Sequence, residues 1–520
     1  MYTLIDLLET ARAHYGPAPF LGLRREQETA WWSYQETADF SCRVANWLVA
    51  SGIRPGDRVA LWAPSQPRWV GAFFGILRAG AVVVPLDVNS TAGFVREVLE
   101  RVGAKALLAG GAQAAKLPGL DVEVIPLDAL GCILAPFPAV PPDHDVGPDD
   151  LAELVFTSGT TGHPKGVMLT HRNIIANLLA SSQVMRCYPH YCVLSLLPLS
   201  HMFEQMGGLY MPMLGGSAVV YLSSLNPREV FLALRQERIT CMLAVPQVLQ
   251  LFMRRIEQEV QRRGQQRVWR LLNLVAPLLP QWARRLAFSS VHRSLGGRFQ
   301  FFISGGAFLD PSLHRGWERL GIRVIQGYGA TEAAPVITTN SLERRKLSSV
   351  GKPIDCLELR IAADGEVQVR GENVFQGYWQ DPQRTQESFA DGWYLTGDLG
   401  SLDKDGYVYL HGRKKDMIVL ANGLNVYPED VENALKASAT VKDCVVVPLT
   451  GDAGPEVHAV LLMEDPAAAK EAVRAANRML ASHQHIRGHT VWSEPDFPRT
   501  HTLKVKRSEV QAHLVEMSHV

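Results

Sequence analysis

The chain has 520 residues, and its 52 Lys plus Arg balance 52 Asp plus Glu, giving zero net charge. With 47% hydrophobic and 20% charged residues, wholesale disorder is excluded and a large core is within reach. The neutral balance argues against a nucleic-acid partner, and seven cysteines without a CxxC pair read as reduced thiols of a cytoplasmic protein.

The N-terminal MYTLIDLLETARAHYG lacks a basic region, and Leu4, Leu7, Leu8 and Ala11 read as the apolar face of an amphipathic helix. Residues 40–90 alternate in type. A helix at 41–50 precedes the strand RVALWA (58–63), and a helix at 71–78 precedes the buried strand AVVVPLD (81–87). Further strands are ALLAG (106–110), VEVIPL (122–127), LAELVF (151–156), AVVYL (218–222), ITCMLAV (239–245), FQFFISGG (299–306) and IRVIQGYG (322–329). This alternation predicts α/β layers around a parallel sheet. The uncharged run 205–225 is long enough to suggest a membrane span. Gly207, Gly208, Pro212, Gly215 and Gly216 interrupt it, which argues against one. Strand–turn–strand patterns around Asp364-Gly365 and Asp405-Gly406 predict a β-rich subdomain over about 350–412. Residues 413–520 are long enough for a small domain of their own. The expected fold class is α/β: a large N-terminal domain (1–412) of layered α/β subdomains plus the β-rich subdomain, then an α+β C-terminal domain (413–520).

The strongest motif is LVFTSGTTGHPKGVMLTHRNII (154–175). An apolar strand runs into a loop, and a helix follows with His171 and Asn173 near its start. Gly159, Gly162 and Gly166 let backbone N–H groups turn toward an anion. Thr157, Ser158, Thr160, Thr161 and Lys165 surround that anion with donors, which suits a polyphosphate. It is not a Walker A loop, because Pro164 precedes the lysine and Gly166 follows it. Six Ser/Thr/Gly residues alone would read as a plain turn; the ten-residue string is far more specific.

That string resembles the signature loop of the adenylate-forming (ANL) superfamily, which includes acyl-CoA synthetases, firefly luciferase and peptide-synthetase adenylation domains. The similarity covers nearly the whole chain, because LPLSHMFEQMGG (197–208), GYGATE (327–332), YLTGD (394–398), GRKKDMIVLANGLNVYPEDVE (412–432) and PRTHTLKVKR (498–507) follow in order. The resemblance implies two steps. A carboxylate attacks the α-phosphorus of ATP, giving acyl-AMP and pyrophosphate, and the thiol of coenzyme A then displaces AMP. Two anions meet in the first step, so fixed donors and positive charge are required. By resemblance, Thr157 to Gly166 hold the β- and γ-phosphates, Thr331 donates to the α-phosphate, and Glu332 binds Mg2+. Gly305, Gly306, Ala307 and Gly327 line the adenine and Tyr328 stacks on it. Asp398 accepts from the ribose with help from Arg413, and His201 gates acyl and pantetheine access. Lys504 bridges the carboxylate and the α-phosphate; the family places glycine before it, where this chain has Leu503. Lys415 matches the hinge of a mobile C-terminal domain, and Gly423 lies in the loop that lines the pantetheine channel.

Residues 301–340 look most like the long-chain fatty acyl-CoA synthetase branch, which implies a fatty acid as substrate. An aryl acid and a carrier protein as acceptor stay open. Gly207 and Gly208 are expected to leave space for an acyl chain. A catalytically silent nucleotide-binding scaffold would be expected to lack Lys504, Glu332 or Lys165, and all three are present. Zinc readings are weak: Cys187 and Cys192 lack further ligands, and His483, His485 and His489 lie in a polar loop. Residues 252–298 carry ten arginines against Glu257 and Glu259, with apolar residues between them. That pattern resembles an interfacial amphipathic helix, such as Arg254, Arg255, Arg262 and Arg263 would dock on anionic lipid; a solvated face is the alternative.

Overall fold

Uninterrupted apolar runs form the middle of a six-stranded sheet. Val82–Pro85 and Ala106–Ala109 are buried throughout, as is Arg58–Trp62 apart from its first residue, the pattern of parallel strands covered by helices on both faces. The computed structural model describes all residues except 27, 144, 158–163, 421–423, 439, 452–453, 500–504 and 519–520. It orders this sheet Glu123–Pro126, Ala106–Ala109, Arg58–Trp62, Val82–Pro85, Leu151–Thr157, Lys165–Thr170, with the last pair antiparallel. Helix Pro67–Arg78 is buried on nearly every side. A Cβ on its Gly71 would lie 2.4 Å from the Phe40 ring, and one on Gly75 2.4 Å from Val44. Both glycines therefore let helix Tyr34–Ala50 approach bare backbone.

The second sheet has nine strands, ordered Lys352–Pro353, Val336–Thr339, Arg323–Gly329, Phe301–Ser304, Cys241–Leu243, Cys192–Ser195, Ala218–Leu222, Pro19–Arg25, Glu28–Ser33. Its centre is parallel and both edges are antiparallel. The expected parallel sheet thus holds for the centre. The edge strands escaped the reading because their half-exposed residues, such as Glu28–Ser33, mix polar and apolar types without a buried run.

Run 205–225 contains three short helical pieces, Met202–Gln205, the π-helical Met206–Tyr210 and Met211–Gly215, before strand Ala218–Leu222. Among the described residues no helix is long and apolar enough to cross a membrane. The expectation that Gly207 and Gly208 leave space for an acyl chain is corrected. A Cβ on Gly207 would sit 2.6 Å from the Leu243 side chain, and one on Gly208 would strike the Glu204 carboxylate. Both glycines serve close packing. Residues 252–298 are likewise not one amphipathic helix. They fold as the end of Pro246–Arg262, then Gln266–Val275, Gln281–Ala287 and Ser289–Ser294.

The chain forms two compact units, 1–358 with 369–394, and 359–368 with 395–520. The first is the large mixed α/β unit described above. In the smaller one, Val441–Gly451 pairs antiparallel with Gly454–Met463, which pairs parallel with Gly488–Val491. Alternation assigns the two faces. Cys444, Val446, Ala459 and Leu461 pack with helices Pro428–Lys436 and Ala469–Asn477, whereas Val445, Val447, Val460 and Leu462 pack with Trp492, Phe497 and Val510.

Candidate active site

The segment after the phosphate loop departs from the expected strand–loop–helix order. Lys165–Thr170 is a strand, antiparallel to Leu151–Thr157, and Thr157 is the register partner of Lys165. Helix His171–Val184 begins only afterwards, capped by Thr170 and Asn173 in a reciprocal box. The alternation in KGVMLT, which buries Val167 and Leu169, favours pairing over helix. Lys165 is therefore held at the start of a strand. Ser158, Gly159, Thr160, Thr161 and Gly162 lie outside the described residues. Arg101 Nη1 donates to Pro164 O at 2.7 Å, adding a cation beside the loop. His171 is a buried structural residue: its Nδ1 accepts from Leu4 N–H at 3.2 Å, and burial lowers its pKa to about 4.

Lys165 Nζ lies 3.2 Å from Glu332 Oε1, and Tyr378 OH donates to the same oxygen at 2.8 Å. The ammonium also sits 5.0 Å above the Tyr378 ring. Glu332 and Thr331 belong to the turn Thr331–Ala333 that follows strand Arg323–Gly329. Tyr378 is brought in by a bridge to Val167 and by Trp379 N–H donating to Gly166 O at 2.8 Å. Burial and the adjacent carboxylate both raise the Tyr378 pKa, so it stays a donor. Sequence reasoning missed this tyrosine. Its only signal was an aromatic pair after Gly377, which is uninformative by itself.

A second group gathers at the carboxyl ends of the parallel strands, where α/β sheets bind ligands. Gly305, Gly306 and Ala307 follow Phe301–Ser304, and Gly327 and Tyr328 lie in the neighbouring strand Arg323–Gly329. A Cβ on Gly305 would lie 3.4 Å from the Phe203 ring and 3.5 Å from Gly327 O. Gly306 has φ +78°, a conformation that favours glycine. Ser304 Oγ and Gln326 Oε1 are buried there without a partner. Tyr328 is largely buried.

His201 precedes Met202–Gln205, and its Nε2 meets Asp87 Oδ2 at 2.7 Å. Asp87 follows strand Val82–Pro85, and its Oδ1 accepts from Asn89 N–H at 2.8 Å. In the sequence Asp87 reads only as the end of the buried strand AVVVPLD. Beneath the π-helical segment, Glu153 is fully buried, with Gln205 Nε2 at 2.9 Å and Tyr210 OH at 3.0 Å. Burial pushes its carboxyl up to about 7, and that of nearby Glu204 up to about 8.

The remaining candidates belong to the second unit. Asp398 and Arg413 are register partners on adjacent strands, with Arg413 Nε 3.1 Å from Asp398 Oδ1. Asp398 N–H donates to Thr396 Oγ1 at 3.1 Å. Lys415 lies in the turn Lys414–Asp416 and is exposed. Gly423 and Lys504 fall outside the described residues.

The donor chemistry fits a magnesium-bound nucleotide. Glu332 offers a hard carboxylate oxygen beside a lysine, as Mg2+ bound to phosphate requires. The orphaned Ser304 and Gln326 side chains are polar groups that a nucleotide could satisfy. Among the described residues no cluster of three His, Cys, Asp or Glu could hold a metal by itself.

Comparison with known proteins identifies the family. The model of the AMP-binding enzyme family matches residues 8–379, and that of the AMP-binding enzyme C-terminal domain matches 415–516. The chain is 31% identical over 463 residues to the long-chain-fatty-acid–CoA ligase FadD15 of Mycobacterium bovis, covering 81% of this chain and 75% of that one. It is 32% identical over 442 residues to a feruloyl-CoA synthase of an Amycolatopsis species, covering 82% and 83%. The anthranilate CoA ligase AuaEII in complex with anthranoyl-AMP shares the fold, with TM-score 0.83 at 21% identity over 98% of this chain and 97% of that one. The chain therefore belongs to the AMP-binding enzyme family, the ANL superfamily of adenylate-forming ligases.

Proposed function

We propose that this AMP-forming acid–coenzyme A ligase activates a fatty acid to acyl-AMP with release of pyrophosphate, then passes the acyl group to coenzyme A. The observation that carries the reading is the Lys165–Glu332–Tyr378 cluster at the exit of the phosphate loop. A cation and a carboxylate held there by buried partners can orient a triphosphate and the Mg2+ that neutralises it. Glu332 would hold the metal, which would withdraw charge from the phosphates. Thr331 would donate to the α-phosphate, Gly305 to Ala307 with Gly327 and Tyr328 would line the base, and Asp398 with Arg413 would take the ribose. Lys504 would meet the carboxylate, and the domain 413–520 would turn at Lys415 so that the Gly423 loop can line the thiol channel. Asp87 aims His201 at the acyl entrance.

The fatty-acid assignment draws on the apolar segment after Gln205 and on relatives named long-chain-fatty-acid–CoA ligases. A long aliphatic acid partitions into bilayers, so a cytoplasmic enzyme with a peripheral membrane surface in 252–298 fits the same reading. A second reading, an aryl acid, is favoured by Leu243 and Glu204 filling the space at Gly207 and Gly208, and by the feruloyl-CoA synthase relative. A panel of fatty acids of graded length, ferulate and anthranilate, given with ATP, Mg2+ and coenzyme A and read by mass spectrometry, separates the two. Preference for the aryl acids would overturn the fatty-acid proposal.

A further inference from the structure

The structure moves the exposed apolar surface of 252–298 away from the arginines at 254–263. Arg262 and Arg263 both bind Glu259, and Arg255 lies over the Phe231 ring at 4.8 Å. Helix Gln266–Val275 buries none of its residues fully. Trp269 and Leu272 rest against the core, whereas Val268, Leu271 and Leu274 point outward on its other side. The outward face continues through Leu278 (84% exposed), Trp282 (68%) and Leu286 (67%). Large apolar groups exposed in one stretch mark an interaction surface.

Trp282 also stands at the rim of a cleft of about 520 Å³. The cleft opens at the amino ends of strands Cys241–Leu243, Phe301–Ser304 and Arg323–Gly329, since Thr240, Gln300, Phe301 and Arg323 line it. It thus lies across the sheet from Gly305 and Gly327. Arg285, Arg298, Arg323 and His190 line it, and no carboxylate does. Arg285 Nη1 donates to Phe299 O at 3.2 Å, and Arg323 Nε is buried with no partner. Between Glu259 and Asp310 the chain has eight arginines and no Asp or Glu. Among the described residues that line it, the cleft thus sets three guanidinium groups together with no carboxylate, which is the chemistry of a phosphoryl-anion site.

We propose that the cleft of Arg285, Arg298 and Arg323 seats the phosphate headgroup of an anionic phospholipid, while Leu274, Leu278, Trp282 and Leu286 enter the adjoining acyl boundary. The apolar rim selects this source over a free phosphate, because a soluble anion gains nothing from an exposed tryptophan, whereas indole favours the membrane interface. The proposal gives a location to the peripheral surface suggested above, and it rests on that reading for its purpose. Its test needs no acyl substrate, so it fails or succeeds independently of which acid is activated.

The test is co-sedimentation of the full chain with vesicles of phosphatidylcholine alone and of phosphatidylcholine mixed with phosphatidylglycerol. Wild type should bind the mixed vesicles and ignore the neutral ones. One arginine near an anionic surface contributes about fivefold, so Arg298→Glu should weaken binding on the order of tenfold or more. Trp282→Ser should weaken it too. Arg96→Glu, the same charge change on the six-stranded sheet's helix Ala92–Val102, should bind as wild type. Circular dichroism and thermal melting establish that each variant is folded. Equal binding to both vesicles, undiminished binding by Arg298→Glu, or an equal loss in Arg96→Glu would overturn the proposal. So would stabilisation by inorganic phosphate that Arg298→Glu abolishes while Trp282→Ser leaves vesicle binding unchanged, because that assigns the cleft to a soluble anion.

Discussion

Tyr378→Phe isolates one hydroxyl at the exit of the phosphate loop. That hydroxyl donates to Glu332 Oε1 at 2.8 Å, and both side chains are buried. A hydrogen bond to a charged acceptor contributes roughly 1.5–3 kcal/mol. Phenylalanine keeps the ring, so its packing on Phe375, with centroids 4.9 Å apart, and the Lys165 ammonium above it both persist. If Glu332 works where Tyr378 aims it, kcat/KM for acid-dependent pyrophosphate release should fall roughly 10- to 150-fold, the rate equivalent of that energy. Glu332→Gln should lose at least as much. The double variant should then lose little more than Glu332→Gln alone, giving a coupling energy of about 1–3 kcal/mol, where independent residues would give under about 0.5. Urea unfolding of all four proteins separates this from a loss of fold. Additive losses, or a Tyr378→Phe enzyme with full activity, would refute the reasoning.

Asp87→Asn removes the carboxylate that faces His201 Nε2 at 2.7 Å; hydroxamate trapping of acyl-AMP should fall by up to about a hundredfold, and His201→Ala should add little to it. Lys504→Ala should slow pyrophosphate release by on the order of 10²–10³ yet leave thioester formation from synthetic acyl-AMP near wild type; normal adenylation by the variant would remove Lys504 from its role. Glu153 predicts a pH effect on stability. Its folded pKa is raised by burial to about 7, above its unfolded value, so the folded state binds the extra proton. Its contribution is therefore fully present below the unfolded pKa and is lost as pH rises toward about 7. Urea midpoints measured across that range should decline less in Glu153→Gln than in wild type, and parallel curves would count against the assignment.

The phosphate loop, GYGATE and YLTGD were legible in sequence because their chemistry is local. A few consecutive residues carry the glycines, hydroxyls and carboxylates. The same locality makes most central strands of both sheets visible, since burial on both faces leaves one kind of residue, but the four-residue strand Cys192–Ser195 at the centre of the nine-stranded sheet went unread. The antiparallel strand Lys165–Thr170 was hidden, because a six-residue alternating stretch before a helix cap reads equally as loop or early helix.

Pattern also misled where a residue type has two uses. Gly207 and Gly208 read as open space, yet Leu243 and Glu204 fill it, and only the packed structure shows which neighbour comes close. Ten arginines in 252–298 read as one basic face, although Glu259 takes two of them and the exposed apolar side chains lie on later helices. The sequence by itself determined the class of chemistry, through ordered local motifs whose residues act side by side. Only the tertiary structure decided which side chains aim them. Tyr378 reaches Glu332 across 46 residues and Asp87 reaches His201 across 114. Those separations are closed by sheet register and helix packing, and nothing in either residue's own neighbourhood records its distant partner.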